Sequence, residues 1–202
     1  NGAINYRTNA ALKLSEGNFT QFWGERSGTS VPSSNAPINL TVNGVPSDAN
    51  SITMSTSGAI QVRPFAANFG SAIDWRALTN AGGGFSVGTA ASLGGATNNV
   101  IIHQPISSGG GVELYGNNVN VNSGATITVA GAQGAVTLSS NVTTTLSSQI
   151  SANGSIWLRG NVINFASATV TGSAAVTLDS QATSFTTLPS LANLTVGSLS
   201  LI

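Results

Sequence analysis

Apolar side chains recur in pairs at a twenty-residue interval in the C-terminal half of the chain. The pairs are Val136/Leu138, Ile156/Leu158 and Val176/Leu178, and Val196 falls at the next step. The residues of each pair stand two apart, the spacing that puts both side chains on one side of a β-strand. A repeat of this length predicts stacked units that bury their apolar sides against each other.

Two further columns of apolar residues keep the same interval. One contains Val142 and Val162, and the other contains Ile150 and Val170. One coil upstream the pattern recurs with a small insertion, at Val112/Leu114, Val119/Val121 and Ile127/Val129. Three short alternating segments per coil predict an all-β fold, a right-handed parallel β-helix with coils of about 20 residues. A β-sandwich subunit completed by strand exchange is the alternative.

Asparagine precedes a valine of the second column in three coils, at Asn118, Asn141 and Asn161. Asn tolerates the left-handed backbone of a sharp corner, and its amide can bond to the neighbouring coil. The three residues therefore predict an asparagine ladder along one corner of the stack.

The repeat fades toward the N-terminus, where Ile60/Val62 and Phe85/Val87 are spaced less regularly. We interpret residues 57–202 as the solenoid and residues 1–56 as an N-terminal cap or a separate small β-unit. Within the latter, Asn43-Gly44 follows the strand-like stretch 38–42, which predicts a hairpin turn.

The chain carries very few charges for its length. Only 6% of its residues are charged, with six basic and six acidic side chains, against about 25% in typical soluble proteins. This balance excludes electrostatic attraction to nucleic acid or anionic lipid. Cysteine is absent while Ser, Thr and Asn number 28, 22 and 21, a composition that favours an extracellular all-β protein. No apolar run approaches the ~18 residues of a membrane span.

The stretch 111–129, GVELYGNNVNVNSGATITV, continued by 154–162, GSIWLRGNV, resembles the repeats of filamentous-haemagglutinin-like exoproteins. The resemblance covers roughly residues 57–180. It implies a right-handed parallel β-helix from a large bacterial surface adhesin, secreted by a two-partner or autotransporter route. The Asn-Pro motifs of that family's secretion domain are absent, which implies a piece outside that domain or a divergent relative. The repeats supply packing positions, so no functional residue is carried over.

Residues that could support catalysis are few. His103 is the only histidine, so a Ser-His-Asp triad would have to use it. Asp48 and Asp74 could be neighbours in a stack, while Glu113 and Asp179 are coils apart. The sequence has no calcium-binding repeat, EF-hand loop or phosphate-binding loop. We therefore expect no catalysis, no cofactor and no metal.

Trp157 is the residue most suited to contact a ligand. It stands between Ile156 and Leu158, so strand alternation points it outward, flanked by Thr137 and Thr177 of the neighbouring coils. These three residues predict a surface contact for carbohydrate or a protein partner. The alternative is a patch covered by a loop or a second subunit. Trp23 and Trp75 are the other large aromatic residues that could bind sugars.

Five Asn-x-Ser/Thr sequons permit glycosylation in a suitable organism. They stand at Asn18, Asn39, Asn141, Asn153 and Asn193.

Together these features favour an extracellular structural or adhesive β-solenoid module of a bacterial surface or secreted protein, without catalysis. The alternatives are a filament-forming subunit assembled by strand exchange and a carbohydrate-binding or carbohydrate-active β-helix protein. Host or environmental carbohydrate or protein is the expected partner. Apolar Leu199, Leu201 and Ile202 follow the last charge, Asp179. An open edge of this kind predicts burial against another subunit or under a continuation of a longer chain.

Overall fold

The computed structural model describes residues 4–8, 12–15, 38–39, 41–42, 45–46, 52–56, 59–63, 73–75, 77–88, 99–165, 167–180 and 192–202. The regular structure in these ranges is β-strand. Almost all strand pairs are parallel and join strands of successive coils. The predicted all-β solenoid is therefore confirmed, and the β-sandwich alternative is wrong.

The first strands are β1 (Ile4–Thr8), β2 (Leu12–Ser15), β3 (Ile38–Asn39), β4 (Thr41–Val42), β5 (Val45–Pro46), β6 (Ile52–Thr56), β7 (Ile60–Arg63), β8 (Ile73–Trp75), β9 (Leu78–Ala81) and β10 (Phe85–Val87). They are followed by β11 (Asn99–Ile102), β12 (Ile106–Ser108), β13 (Val112–Val121), β14 (Ile127–Val129), β15 (Val136–Leu146), β16 (Ile150–Ala152), β17 (Ile156–Arg159), β18 (Val162–Phe165), β19 (Val170–Asp179) and β20 (Leu194–Leu201).

The strand pairing divides the stack into three faces. Face A contains β2, β7, β10, β17 and residues 112–116, 136–140, 175–179 and 198–201. Face B contains β3, β8, β11, β18 and residues 118–121 and 143–146. Face C contains β1, β6, β9, β12, β14, β16 and residues 170–172 and 194–196.

The first predicted column lies on face A and is confirmed. Val136 pairs with Ile156, which pairs with Val176, and all three are fully buried. Upstream the column continues through Val112 and Phe85 to Ile60. The expectation that Val196 takes the next place is wrong, because Val196 pairs with Gly172 and Leu199 pairs with Val176.

The column of Ile127, Ile150 and Val170 lies on face C and is also confirmed by the register. The proposed column of Val142 and Val162 is wrong. Val142 is 43% and Val162 37% exposed, and the partner of Val162 is Thr143. The inward residues of face B are instead those aligned with Val119 and Val121, namely Thr144, Leu146, Ile163 and Phe165.

A β-bulge at the corner between faces A and B explains this shift. Gly116 pairs with Ser140 and Asn118 pairs with Thr143, so Asn117 faces both Asn141 and Val142. Asn118 is consequently not aligned with Asn141, as the expected asparagine ladder required. Asn118 does form a ladder bond, but upstream, where its Nδ2 donates to Asn99 Oδ1 at 2.8 Å.

Glycine lines the corner between faces C and A, where successive coils are in close backbone contact. Gly154 N donates to Gly134 O at 2.9 Å. A Cβ atom on Gly154 would lie only 2.6 Å from that oxygen, and one on Gly110 would lie 2.8 Å from the carbonyl carbon of Gly83. Close approach of this kind requires glycine, which accounts for the glycine runs at 82–84 and 109–111.

The N-terminal strands belong to the same parallel stack. β1 pairs with β6, β2 with β7 and β3 with β8. The strands that flank Asn43-Gly44 pair antiparallel, as the hairpin expectation required. A domain boundary between residues 56 and 57 stays a prediction. No helix among the described residues is long and apolar enough to cross a membrane.

Candidate functional site

The outward side of face A carries two columns of polar and aromatic residues. The first contains Glu113, Thr137, Trp157 and Thr177 in successive coils. The structure thus places the three predicted contact residues side by side, with Trp157 38% exposed between two threonines that are half-buried. Their role as a contact surface stays a prediction.

The second outward column lies two residues further along the same strands. It contains Tyr115, Ser139, Arg159 and Asp179 in register. Ser139 is only 1% exposed although it stands on the outward side. The neighbouring side chains of this column must therefore cover it. We call Tyr115, Ser139, Trp157, Arg159 and Asp179 together the Trp157 cluster.

Direct contacts fix the orientation of the indole. Trp157 Nε1 donates to Asp179 Oδ2 at 3.2 Å. Arg159 Nε lies 3.4 Å from the same oxygen in an ion pair. The guanidinium carbon of Arg159 is 6.0 Å from the centre of the indole ring, at the outer limit of a cation–π contact. The carboxylate of Asp179 therefore holds both the ring and the guanidinium.

Tyr115 and Glu113 occupy the upstream end of this surface. Burial, together with the adjacent Glu113 carboxylate, raises the pKa of the Tyr115 phenol above its usual value. The phenol accordingly stays protonated at neutral pH and can donate a hydrogen bond. Beside Glu113 lies a pocket of about 160 Å³, also lined by Ala59, Gly84, Phe85, Ser86 and Gly111.

Sequence reasoning found Trp157 but not its partners Arg159 and Asp179. The signal was present, because Arg159 and Asp179 stand two residues beyond aligned Trp157 and Thr177 and must share the outward side. These two also make up two of the three charges after residue 76. Charges placed one above the other in a charge-poor repeat point to a cluster.

Trp75 does not contribute to a surface. It is fully buried on face B, where its Nε1 donates to Thr79 Oγ1 at 2.9 Å. The centre of its ring lies 5.1 Å from the centre of the Phe85 ring. The expectation that it could contact sugar is therefore wrong. Trp23 lies outside the described residues.

The sequons fall in different settings. Asn153 and Asn193 are exposed, although Asn153 Nδ2 donates to Ala130 O at 2.8 Å. Asn141 is half-buried in the bulge. Asn39 ends β3, where its side chain is not described, and Asn18 lies outside the described residues.

Among the described residues, the groups considered for catalysis do not converge. His103 Nδ1 lies 3.2 Å from Asn122 Nδ2. Three ladder steps separate the Glu113 and Asp179 strands, about 14 Å at ~4.8 Å per step, against roughly 5 to 10 Å between paired glycosidase carboxylates. Asp74 lies in β8, and Asp48 is outside the described residues. In the part of the chain that the structure describes, no three His, Asp or Glu side chains could hold a metal ion.

Comparison of the chain with protein-family models, with curated proteins and with solved structures finds no match.

Proposed function

We propose that this chain is an extracellular structural and adhesive β-solenoid module of a bacterial surface or secreted protein, without catalytic activity. The observation that supports it most is the Trp157 cluster, a partly exposed aromatic side chain beside an ion pair on the outward side of face A. Aromatic and Arg side chains are the residues that dominate binding energy in protein contacts.

The stack itself supports a structural role. Parallel pairing runs from β1 to β20 through one sheet system. Its core is a continuous apolar cluster from Ile60 to Leu178. Successive coils pair in parallel on all three faces, so length can be gained by adding coils. Such a rod holds a contact surface at a fixed orientation.

Location and adhesion can be tested separately. Antibodies raised against the chain should label intact cells of the source organism as strongly as permeabilised cells. Beads coated with the purified chain should adhere to host cells or to environmental surfaces, and soluble chain should compete. Label only in permeabilised cells, or beads that adhere no better than albumin-coated beads, would contradict the proposal.

A second candidate function is a filament-forming subunit, favoured by the last strand. β20 pairs with β19 on one side, and Leu199 and Leu201 stack on Val176 and Leu178. Both leucines nevertheless remain 38% and 47% exposed. Among the described residues β20 pairs only with β19, and a strand edge with apolar side chains invites pairing with a strand of another copy.

This second candidate predicts a mass that rises with concentration. Native mass spectrometry and light scattering should show oligomers of the chain, and deleting residues 191–202 should abolish them. Leu201→Lys, which places a charge on the edge, should act in the same direction. A chain that stays monomeric at high concentration, with freely exchanging amides in its last twelve residues, contradicts this function.

A further inference from the structure

One buried polar atom of the Trp157 cluster, Ser139 Oγ, makes no hydrogen bond to any described residue. Its neighbour Arg159 Nε makes none either, but it is ion-paired with Asp179 Oδ2 at 3.4 Å. The two residues are direct neighbours in adjacent coils. Buried polar atoms without partners are rare because they carry a free-energy cost. Ser139 Oγ, next to an ion-paired guanidinium and a partly exposed indole, indicates a place where a ligand supplies the missing bond.

The groups around these atoms match the chemistry of a sugar ring. The indole of Trp157 offers a rigid apolar face for the C–H groups of the ring. Asp179 accepts a hydrogen bond from a sugar hydroxyl, while Arg159 and Ser139 donate to hydroxyl oxygens. Two adjacent hydroxyls provide donors and acceptors together, whereas a phosphate or carboxylate ligand provides acceptors alone.

The charges of this surface favour an uncharged sugar. The guanidinium of Arg159 is already paired with Asp179. Glu113 adds a further exposed negative charge on the same face. Lys13 and Arg63 belong to the upstream strands β2 and β7 of the face. An acidic sugar at Trp157 would therefore meet the carboxylates of Asp179 and Glu113 beside an already paired guanidinium, and like charges across a contact weaken binding.

We propose that the Trp157 cluster binds a neutral polysaccharide laid along the coil stack, with a sugar ring against Trp157. This inference rests on the proposed adhesive function and names its ligand. Tyr115 stands three ladder steps from Asp179, about 14 Å at ~4.8 Å per step, so the surface extends beyond one ring. The protonated phenol of Tyr115 then donates to a second ring.

The experiment titrates the 202-residue chain with defined probes by calorimetry and by tryptophan fluorescence. The neutral probes are cellohexaose, mannohexaose, galactohexaose and chitohexaose, and the acidic probe is hexagalacturonate. At least one neutral probe should bind, and hexagalacturonate should bind more weakly than it. No binding of any neutral probe, or preferential binding of the acidic one, overturns the proposal.

Variants then locate the site. Trp157→Ala should lower the affinity at least about 30-fold, as removing a central aromatic anchor does. Asp179→Asn should lower it less, because the amide still occupies the place of the carboxylate. Thr128→Ala, at an exposed outward residue of face C, should leave it unchanged. Circular dichroism verifies that each variant is folded.

Ser139→Ala provides the sharpest variant. If Ser139 Oγ donates to the sugar, the change weakens binding about fivefold to tenfold while the chain becomes no less stable, because its only loss is a hydroxyl without a partner. Unchanged affinity in Ser139→Ala together with unchanged affinity in Trp157→Ala would place the ligand elsewhere and overturn the proposal.

The bead assay separates this inference from the adhesive function. Adhesion that survives both Trp157→Ala and an excess of every neutral probe would leave the adhesive function standing and remove the carbohydrate site. Sugar binding by a chain whose beads do not adhere would remove the adhesive function. Loss of bead adhesion in Trp157→Ala with no sugar bound, accompanied by loss of self-association, would assign the surface to a second copy of the chain.

Discussion

The twenty-residue repeat of the sequence matches the strand pairing in the flat part of face A but not at the corner that joins face A to face B. On face A, Val136, Ile156 and Val176 stack without interruption, and each twenty-residue step joins true neighbours. At the corner the same step joins Val142 to Val162, which are exposed and not paired with each other. The bulge at Asn141 and Val142 separates these two outcomes.

The difference shows that the period of a solenoid resides in its flat strands. Strand residues must match their neighbours in the coils above and below, because a slip by one residue turns every side chain over. A corner can accommodate an extra residue as an outward β-bulge, after which the strand pairing resumes in register. Face B therefore begins again with Thr144 opposite Val119.

The largest effect expected from this contrast comes from single-residue deletions. Deleting Thr137 shifts one side of a flat strand and forces Leu138 out of the core, so we expect no cooperative unfolding transition. Deleting Val142 gives this corner the length of the corners in the coils above and below it. We expect the free energy of unfolding to stay within about 1 kcal/mol of the parent. Urea denaturation followed by circular dichroism measures both, and equal damage would refute the contrast.

Substitutions on face A should lower the stability by different amounts at inward and outward residues of paired strands. Ile156 is fully buried, and Ile156→Ala should lower the free energy of unfolding by about 2–5 kcal/mol. Thr137 lies on the outward side of the adjacent coil, and Thr137→Ala should cost less than about 1 kcal/mol. Urea midpoints of the two variants, with unchanged m-values, check this. Similar costs would mean that the inward assignment is wrong.

The corner has its own stabilising contacts, which should have an intermediate effect. Thr144 is fully buried, and its Oγ1 donates to Arg159 O at 2.8 Å and lies 3.0 Å from Ser140 Oγ. Thr144→Val leaves those oxygens with fewer bonds, so we expect a loss of about 1–3 kcal/mol. Thr145→Val, on the outward side of the same strand, should change stability by less than about 0.5 kcal/mol. A more stable Thr144→Val protein would show that this corner does not depend on its hydroxyls.

Much of the fold could be predicted because both the alternation along a strand and the interval between coils are visible in the spacing of apolar residues. Ile127, Ile150 and Val170 were identified in this way. The register of face B could not be predicted in this way. Val142 and Thr144 both suit a β-strand, and only the geometry of the corner decides which of the two side chains points inward. The position of Val196 could not be predicted either, because the last coil is longer than the two before it.

The site was predicted only as far as the outward direction of Trp157. Its contacts with Asp179 and Arg159 depend on rotamers, which alternation does not specify. Whether Ser139 Oγ has a partner among the described residues depends on which side chains cover it. Such facts follow from packing in three dimensions and have no counterpart in the spacing of residues.

The smallest expected effect is a pH dependence at Tyr115, on the outward side of face A. Burial and the Glu113 carboxylate raise the pKa of this phenol in the folded chain. Below about pH 10 the phenol is protonated in both states, and its contribution to stability is complete. Above that pH the unfolded chain ionises first, so the contribution is lost as the pH passes through the folded pKa. In a Tyr6→Phe background, phenolate absorbance should titrate above the usual pKa, and Glu113→Gln should lower that midpoint. Tyr115→Phe should reduce the loss of folding stability at alkaline pH, and an unchanged loss of stability would contradict the assignment.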